Sequence, residues 1–386
     1  MARPEIVYAW NGDAAIAYSV SGQDQGPDLL HMAGYTSNID LMWDNPRYAR
    51  FLERLGSFSR LILTDRRGWG CSERASPGDV APLETVMEDA LAVLDAVGST
   101  SAHVFASADV TMVAALLAAA HPDRVAGLQL YAPMTTWVFT PETPWEWTRE
   151  EWQVRLDEVR TTWGTAGYLD VVPALLRDDP IQREWFLRYM RMGVAPGALI
   201  SETWKFVDTD LRDVLPAIRV PTLVIGGEGL YESDGRASRY VASHVEGARL
   251  LELDAGNKWE WFDERAPYID EVEEMVSGTL HAAPSNTRVL ATVVFTDIVG
   301  STERAARLAT WPGPTSWPSM TPGPGRRSNG RTEGGSLPRA TGCSRRSTAL
   351  RGLSAARVRY LTPYSPWGFR SARVRTRGRS SWPATT

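Results

Sequence analysis

The segment HVFASADVTMVAALLAAAHPDRV, residues 103–125, decides how this chain is read. An apolar run, Val104 and Phe105, leads into small residues, and an alanine-rich helical stretch follows until Pro122 stops it. A strand that turns this sharply into a helix holds one side chain up at the turn. Matching strand end to helix start puts Ala108 there, with Ala106 and Val110 on either side. Alanine has no nucleophilic atom.

On both sides the same alternation continues. IVYAW, AIAYSV, DLLHM, RLILTD, AHVFA, GLQLY, TLVIG and RLLEL read as short strands. TVMEDALAVLDAVG (85–98) puts Val86, Ala90, Val93 and Leu94 on one helical face, and Gly98 supplies the stop. Strands alternating with helices predict an α/β fold, a mostly parallel sheet covered by helices on both faces. Between residues 135 and 215 the strands pause and tryptophan-rich helices intervene, as a cap inserted over the sheet would. Trp145, Trp147, Trp152 and Trp163 line the underside of that cap or fill a small core within it.

The chain has 386 residues and a net charge of −5, but the charge is unevenly spread. Residues 1–310 carry −18 and residues 311–386 carry +13, the latter from 14 arginines, no lysine and one acid, Glu333. This last part has no periodicity and is dominated by Pro, Gly, Ser and Arg, which predicts a disordered tail. Its composition is that of GC-rich coding DNA read in a shifted frame. A basic tail for nucleic acid or an anionic membrane is the other reading. No apolar run reaches membrane-spanning length and no secretory leader is evident. Cys71 and Cys343 are far apart and fit no metal or disulfide spacing, so a cytoplasmic location is expected.

DRRGWGCS (65–72), placed directly after the strand RLILT, matches the D-x-R-G-x-G-x-S turn of α/β hydrolases. HPDRVAGLQLY and RVPTLVIGGEG match two further strands of that fold. Residues 5–278 thus resemble an α/β hydrolase. They also resemble a subgroup placed before class III adenylate/guanylate cyclase domains, through NIDLMWDNPRYARFLERLGSFSRLILTDRRGWG and LRDVLPAIRVPTLVI. The resemblance implies a Ser, Asp/Glu and His triad in that chain order, the serine within G-x-S-x-G. The positions that match are Ala108, Leu230 and Lys258. Glu228 or Asp234 could stand in for the acid, but an acid alone does not restore the triad. Ser107, one residue early, is expected to aim its hydroxyl away from the loop HMAGYT (31–36). Lys258, just ahead of Trp259 and Trp261, reads mainly as a solvated or paired ammonium. His31 and His103 read as structural.

After a linker, HAAPSNT (281–287), the segment VVFTDIVGST (293–302) resembles the first metal motif of class III cyclases. That resemblance implies Asp297 and the Ile298 carbonyl as ligands of magnesium or manganese, which would activate a 3′-hydroxyl and stabilise pyrophosphate. It also implies a homodimer. No GDG follows, so the cyclase part, 288–310, is expected to be truncated and inactive, and the metal not held. The resulting expectation is a ligand-sensing hydrolase-like domain (1–280) joined to a vestigial cyclase that once made cyclic AMP. Its pocket would take a small apolar or amphipathic molecule. The alternative is a hydrolase-fold enzyme with non-triad chemistry.

Overall fold

The structure, a computed structural model, describes residues 3–74, 80–228, 235–253, 259–262 and 266–277. Eight strands form one sheet: β1 (Val7–Asn11), β2 (Ala14–Gly22), β3 (Asp28–Met32), β4 (Arg60–Thr64), β5 (Ala102–Ser107), β6 (Val125–Tyr131), β7 (Thr222–Gly226) and β8 (Arg249–Glu252). They coincide with the eight apolar stretches of the sequence. Their order is β1-β2-β4-β3-β5-β6-β7-β8; β2 runs antiparallel to β1 and β4, and β3 to β8 are parallel.

Alternation along the strands builds a core on each face of this sheet. Phe105, Leu63 and Ile225 point to one face, where helices α1 (Pro46–Gly56) and α9 (Pro267–Ser277) pack. Val104, Ala106, Ile62 and Val224 point to the other, against α2 (Leu83–Ala96), α3 (Thr111–Ala120) and α8 (Gly235–His244). Helix α3 is apolar nearly all round, and Thr111–Ala118 are all buried, as the central helix behind the sheet must be. Helix α1 starts where Asn45 accepts the amides of Arg47 and Tyr48 ahead of Pro46.

Helices α4 (Arg149–Thr162), α5 (Ala174–Asp178), α6 (Pro180–Gly193) and α7 (Pro196–Val207) lie between β6 and β7 in the chain, where the sequence predicts the cap. A capping box, Thr148 with Glu151, opens α4. Its tryptophans do not form one lining. Trp152 stacks on Trp137, which in turn stacks on Phe206, and Trp147 packs at a tilt against Trp152, whereas Trp163 faces the loop after β3.

The turn DRRGWGCS is explained by its hydrogen bonds. The buried Asp65 carboxylate accepts the amides of Ile39 and Cys71, and Ser72 Oγ accepts the Ala17 amide. Gly70 has φ +52°, and a Cβ there would stand 2.0 Å from Asp65 Oδ2, so only glycine fits. Burial pushes the Asp65 carboxyl upward against those hydrogen bonds. Its role is to join loops.

Candidate active site

Three residues other than glycine hold left-handed backbone among the described residues: Tyr35 (φ +70°), Ala108 (φ +50°) and Ala132 (φ +49°). Each costs about 1 kcal/mol relative to ordinary backbone. Tyr35 lies just past β3, Ala108 directly follows β5 and Ala132 directly follows β6, and these strands are neighbours in the sheet. Strain is therefore gathered at the carboxyl edge of three adjacent parallel strands, the edge where open α/β sheets bind ligands.

Ala108 opens the 3-10 turn Ala108–Val110 that leads into α3, so its methyl stands where the α/β-hydrolase resemblance implies a nucleophile. The loop after β3 packs tightly on it. A Cβ on Gly34 would lie 2.0 Å from the Ser107 carbonyl oxygen and 2.9 Å from the Ala108 Cβ, which is why the loop needs glycine there. Ser107, on the same sheet face as Phe105, is fully buried. Its Oγ accepts the Gly34 amide at 3.0 Å and donates to the Glu260 carboxylate at 3.1 Å. The expectation that this hydroxyl aims away from the HMAGYT loop is thereby corrected. Gly34 comes so close to the end of β5 that its N–H reaches the preceding side chain.

Glu260 is buried among tyrosines. Tyr268 donates its hydroxyl to the Glu260 carbonyl. Burial, and then the Glu260 charge, pushes the Tyr131 phenol well above its ordinary range. On the other side of the turn Asp109 is buried, and its carboxylate accepts the Tyr35 amide at 2.6 Å and pairs with Arg66 at 2.7 Å. Above the turn, the Tyr35 ring lies 5.0 Å from Trp259 and 6.2 Å from Trp163, and its hydroxyl bonds to Tyr168. Phe186 packs 5.4 Å from Trp259.

The surroundings of Ala108 are thus aromatic and closely packed. A cavity of about 10 Å³, room for one water, lies higher in the cap between α4, Tyr168 and α7. His31 is buried between Phe51 and Phe105, its Nδ1 at 3.2 Å from the Phe105 carbonyl; burial pushes it down to about 4. His103 on β5 contacts Gln129 and is likewise pushed to about 4 by burial. Glu228 is exposed.

Leu230, Asp234 and Lys258 lie outside the described residues, as do Asp297, Ile298, the linker 281–287, the segment 288–310 and the tail 311–386. The magnesium or manganese ion and the homodimer were tied to that cyclase resemblance. Among the described residues no cluster of His, Cys, Asp or Glu could hold a metal, and no helix is long and apolar enough to cross a membrane. Glu260, Asp109, Tyr35 and Arg66 were not singled out from the sequence. The signals were faint: a lone acid between two tryptophans, and an acid directly after the turn position.

No family model matches the chain. It is 26% identical over 258 residues to RutD of Azorhizobium caulinodans, whose name assigns it to carbamate hydrolysis; the match spans 64% of this chain and 90% of that protein. Among solved structures, a hydrolase from Pseudomonas aeruginosa PA01 is similar at 26% identity and TM-score 0.56, over 72% of this chain and 99% of the other. An esterase from Exiguobacterium antarcticum is similar at 20% identity and TM-score 0.60, over 71% and 99%. An enol-lactonase from Burkholderia xenovorans LB400 is similar at 22% identity and TM-score 0.56, over 70% and 100%.

This is the α/β-hydrolase fold. It occupies the N-terminal part of the chain, about 70% of its length. These relatives overturn the expectation of a catalytically silent sensing domain fused to a nucleotide cyclase. The proteins matched by the α/β-hydrolase part are hydrolases, and none of them supports a cyclase fusion.

Proposed function

We propose that the chain is an α/β-hydrolase-fold enzyme with non-triad chemistry, hydrolysing a small uncharged carbonyl compound of the ester, lactone or carbamate class. The observation that carries this reading is Ala108 held at φ +50°, with Ser107 beside it hydrogen-bonded to the buried Glu260 carboxylate. An alanine gains nothing from left-handed backbone, so strain kept at the catalytic turn argues for a working site rather than a relic.

With no side-chain nucleophile at the turn, water attacks directly. Ser107 Oγ has given one lone pair to the Gly34 amide and has a second with which to accept a proton from water, while its own proton passes to Glu260. The hydroxide adds to the carbonyl carbon; the tetrahedral intermediate then expels the alkoxide, which recovers the proton from Glu260 through Ser107. Atoms and charge balance without a covalent intermediate.

Substrate class follows from the aromatic side chains clustered at the loop after β3. Tyr35, Trp163, Phe186 and Trp259 offer aromatic faces, and Arg66 is already neutralised by Asp109, so an apolar, uncharged substrate suits the site. On this reading the rings packed around the turn must part to admit substrate and water. The relatives named for carbamate, enol-lactone and ester chemistry support that range.

The test is a panel of aryl esters, enol lactones and aryl carbamates, with a fluorophosphonate probe run alongside. Turnover above buffer with no labelling of the protein is the expected outcome. Labelling at Ser107 would mean a covalent serine enzyme instead, and failure to hydrolyse any of the three classes would refute the reading.

A further inference from the structure

We infer that Asp109 is a positioning residue: its carboxylate occupies the main-chain donor of Tyr35, and Arg66 ties that contact to the cap helix α7. Tyr35 is a bulky residue in left-handed backbone, which persists only where its surroundings hold it. The holding contact is the 2.6 Å bond from its amide to Asp109, short because the acceptor is charged.

The contact continues outward in steps. Arg66 pairs with Asp109 at 2.7 Å and lies over the Trp69 ring at 3.9 Å. It also reaches Glu202 of α7 at 3.5 Å, and Trp69 donates its indole N–H to the same carboxylate. Lys205, one turn on, stands 3.6 Å from Glu202 and donates to the Ala81 carbonyl at 2.9 Å. Two carboxylates and two cations thus balance inside the protein, in a chain from the loop after β3 to the cap. Isolated buried charges would be too costly; the network makes them tolerable by pairing.

The consequence is specific. A carbonyl oxygen bound over Ala108 does not gain the Tyr35 N–H, because the chain's own carboxylate has it. What Asp109 contributes is the place of the loop and of the Tyr35 ring, which in turn faces Trp163 and Trp259. A misplacement on the ångström scale at such a loop costs roughly a hundredfold in rate.

The experiment is hydrogen exchange over residues 33–38 in the full chain. Wild type is expected to protect the Tyr35 amide. Asp109→Ala should raise its exchange about tenfold or more while β5 and β6 stay protected. Formate should restore protection, whereas formamide and chloride at equal concentration should not. Unchanged exchange in Asp109→Ala, or formate acting no better than chloride, overturns the inference. Should that variant fail to fold, wild type decides alone. A charge-assisted bond of this length places the Tyr35 amide proton among the most downfield in the spectrum, and an ordinary shift refutes it. The catalytic consequence rests on the proposed hydrolysis: Asp109→Ala should lower kcat about tenfold or more with KM nearly unchanged. If wild type hydrolyses nothing, the proposed function fails and the exchange result still judges Asp109.

Discussion

Ser107 donates its hydroxyl proton to the Glu260 carboxylate at 3.1 Å while accepting the Gly34 amide at 3.0 Å. One buried hydroxyl thereby fastens the end of β5 to the loop after β3 and to the segment beyond β8. Ser107→Ala takes one hydrogen bond from the buried Gly34 amide and one from the buried Glu260 carboxylate, at a cost of about 1–3 kcal/mol. Urea unfolding should show a lower midpoint with an unchanged slope. A variant as stable as wild type would mean that this hydroxyl fastens nothing.

Gly34 is the tightest point of the site. Adding a methyl drives a Cβ to 2.0 Å from the Ser107 carbonyl oxygen, which is backbone and cannot swing away. Gly34→Ala should destabilise by about 2–3 kcal/mol or more. Gly197→Ala is the control, since nothing lies within 4 Å of a Cβ there. Thermal melts of the two variants should separate clearly; equal melting temperatures would contradict the packing of the loop on the turn.

The charge network makes a signed prediction. Arg66→Met removes the cation shared by Asp109 and Glu202 and leaves the buried Asp109 carboxylate without its counter-charge, while Glu202 keeps only Lys205, a loss of about 3–5 kcal/mol. Combining it with Asp109→Asn should cost less than the sum of the two single losses, because the uncompensated charge is removed too. Strict additivity in the double-mutant cycle would show that the pair does not interact.

Stability should fall on mild acidification. Burial holds His31 down to about 4 in the folded chain, below its ordinary value of 6.5. The unfolded chain therefore binds a proton there between pH 6.5 and 4 that the folded chain does not. The contribution is fully present above pH 6.5 and is lost progressively as pH falls to about 4, amounting to about 3 kcal/mol. His103, also pushed to about 4, adds in the same direction. His31→Phe, which suits the neighbouring Phe51 and Phe105 rings, should flatten the decline measured by urea unfolding at pH 7 and pH 5. An equally steep decline in that variant would assign the pH dependence elsewhere.

The sheet was legible in the sequence because its signals are local. Each strand is a short apolar run closed by a turn, and glycine and proline punctuate the helices, as Gly98 and Pro122 do around α2 and α3. The turn at Ala108 was legible for the same reason: strand, small residues and helix adjoin in the chain. The Ser107–Glu260 contact joins residues 153 apart and the Asp109–Tyr35 contact residues 74 apart. No local pattern announces either pairing. The direction of the Ser107 hydroxyl depends on how closely Gly34 approaches, which is a property of the packed loops rather than of the strand. The expectation of a silent domain rests on Ala108, Leu230 and Lys258 at the triad positions and on the short motif at Asp297, and neither local signal reports the hydrolase relatives of the long N-terminal part.

The most direct measurement is the rate of aryl ester, enol lactone and aryl carbamate hydrolysis by wild type and by Glu260→Gln, at equal folded concentration. Glutamine keeps the size of the side chain and the hydrogen bond from Ser107, but it cannot take the proton of the attacking water. Wild-type turnover above buffer that falls about a hundredfold or more in Glu260→Gln is the expected result. A wild-type rate no faster than buffer on all three classes, or a Glu260→Gln variant that keeps full activity, would contradict water activation at this turn.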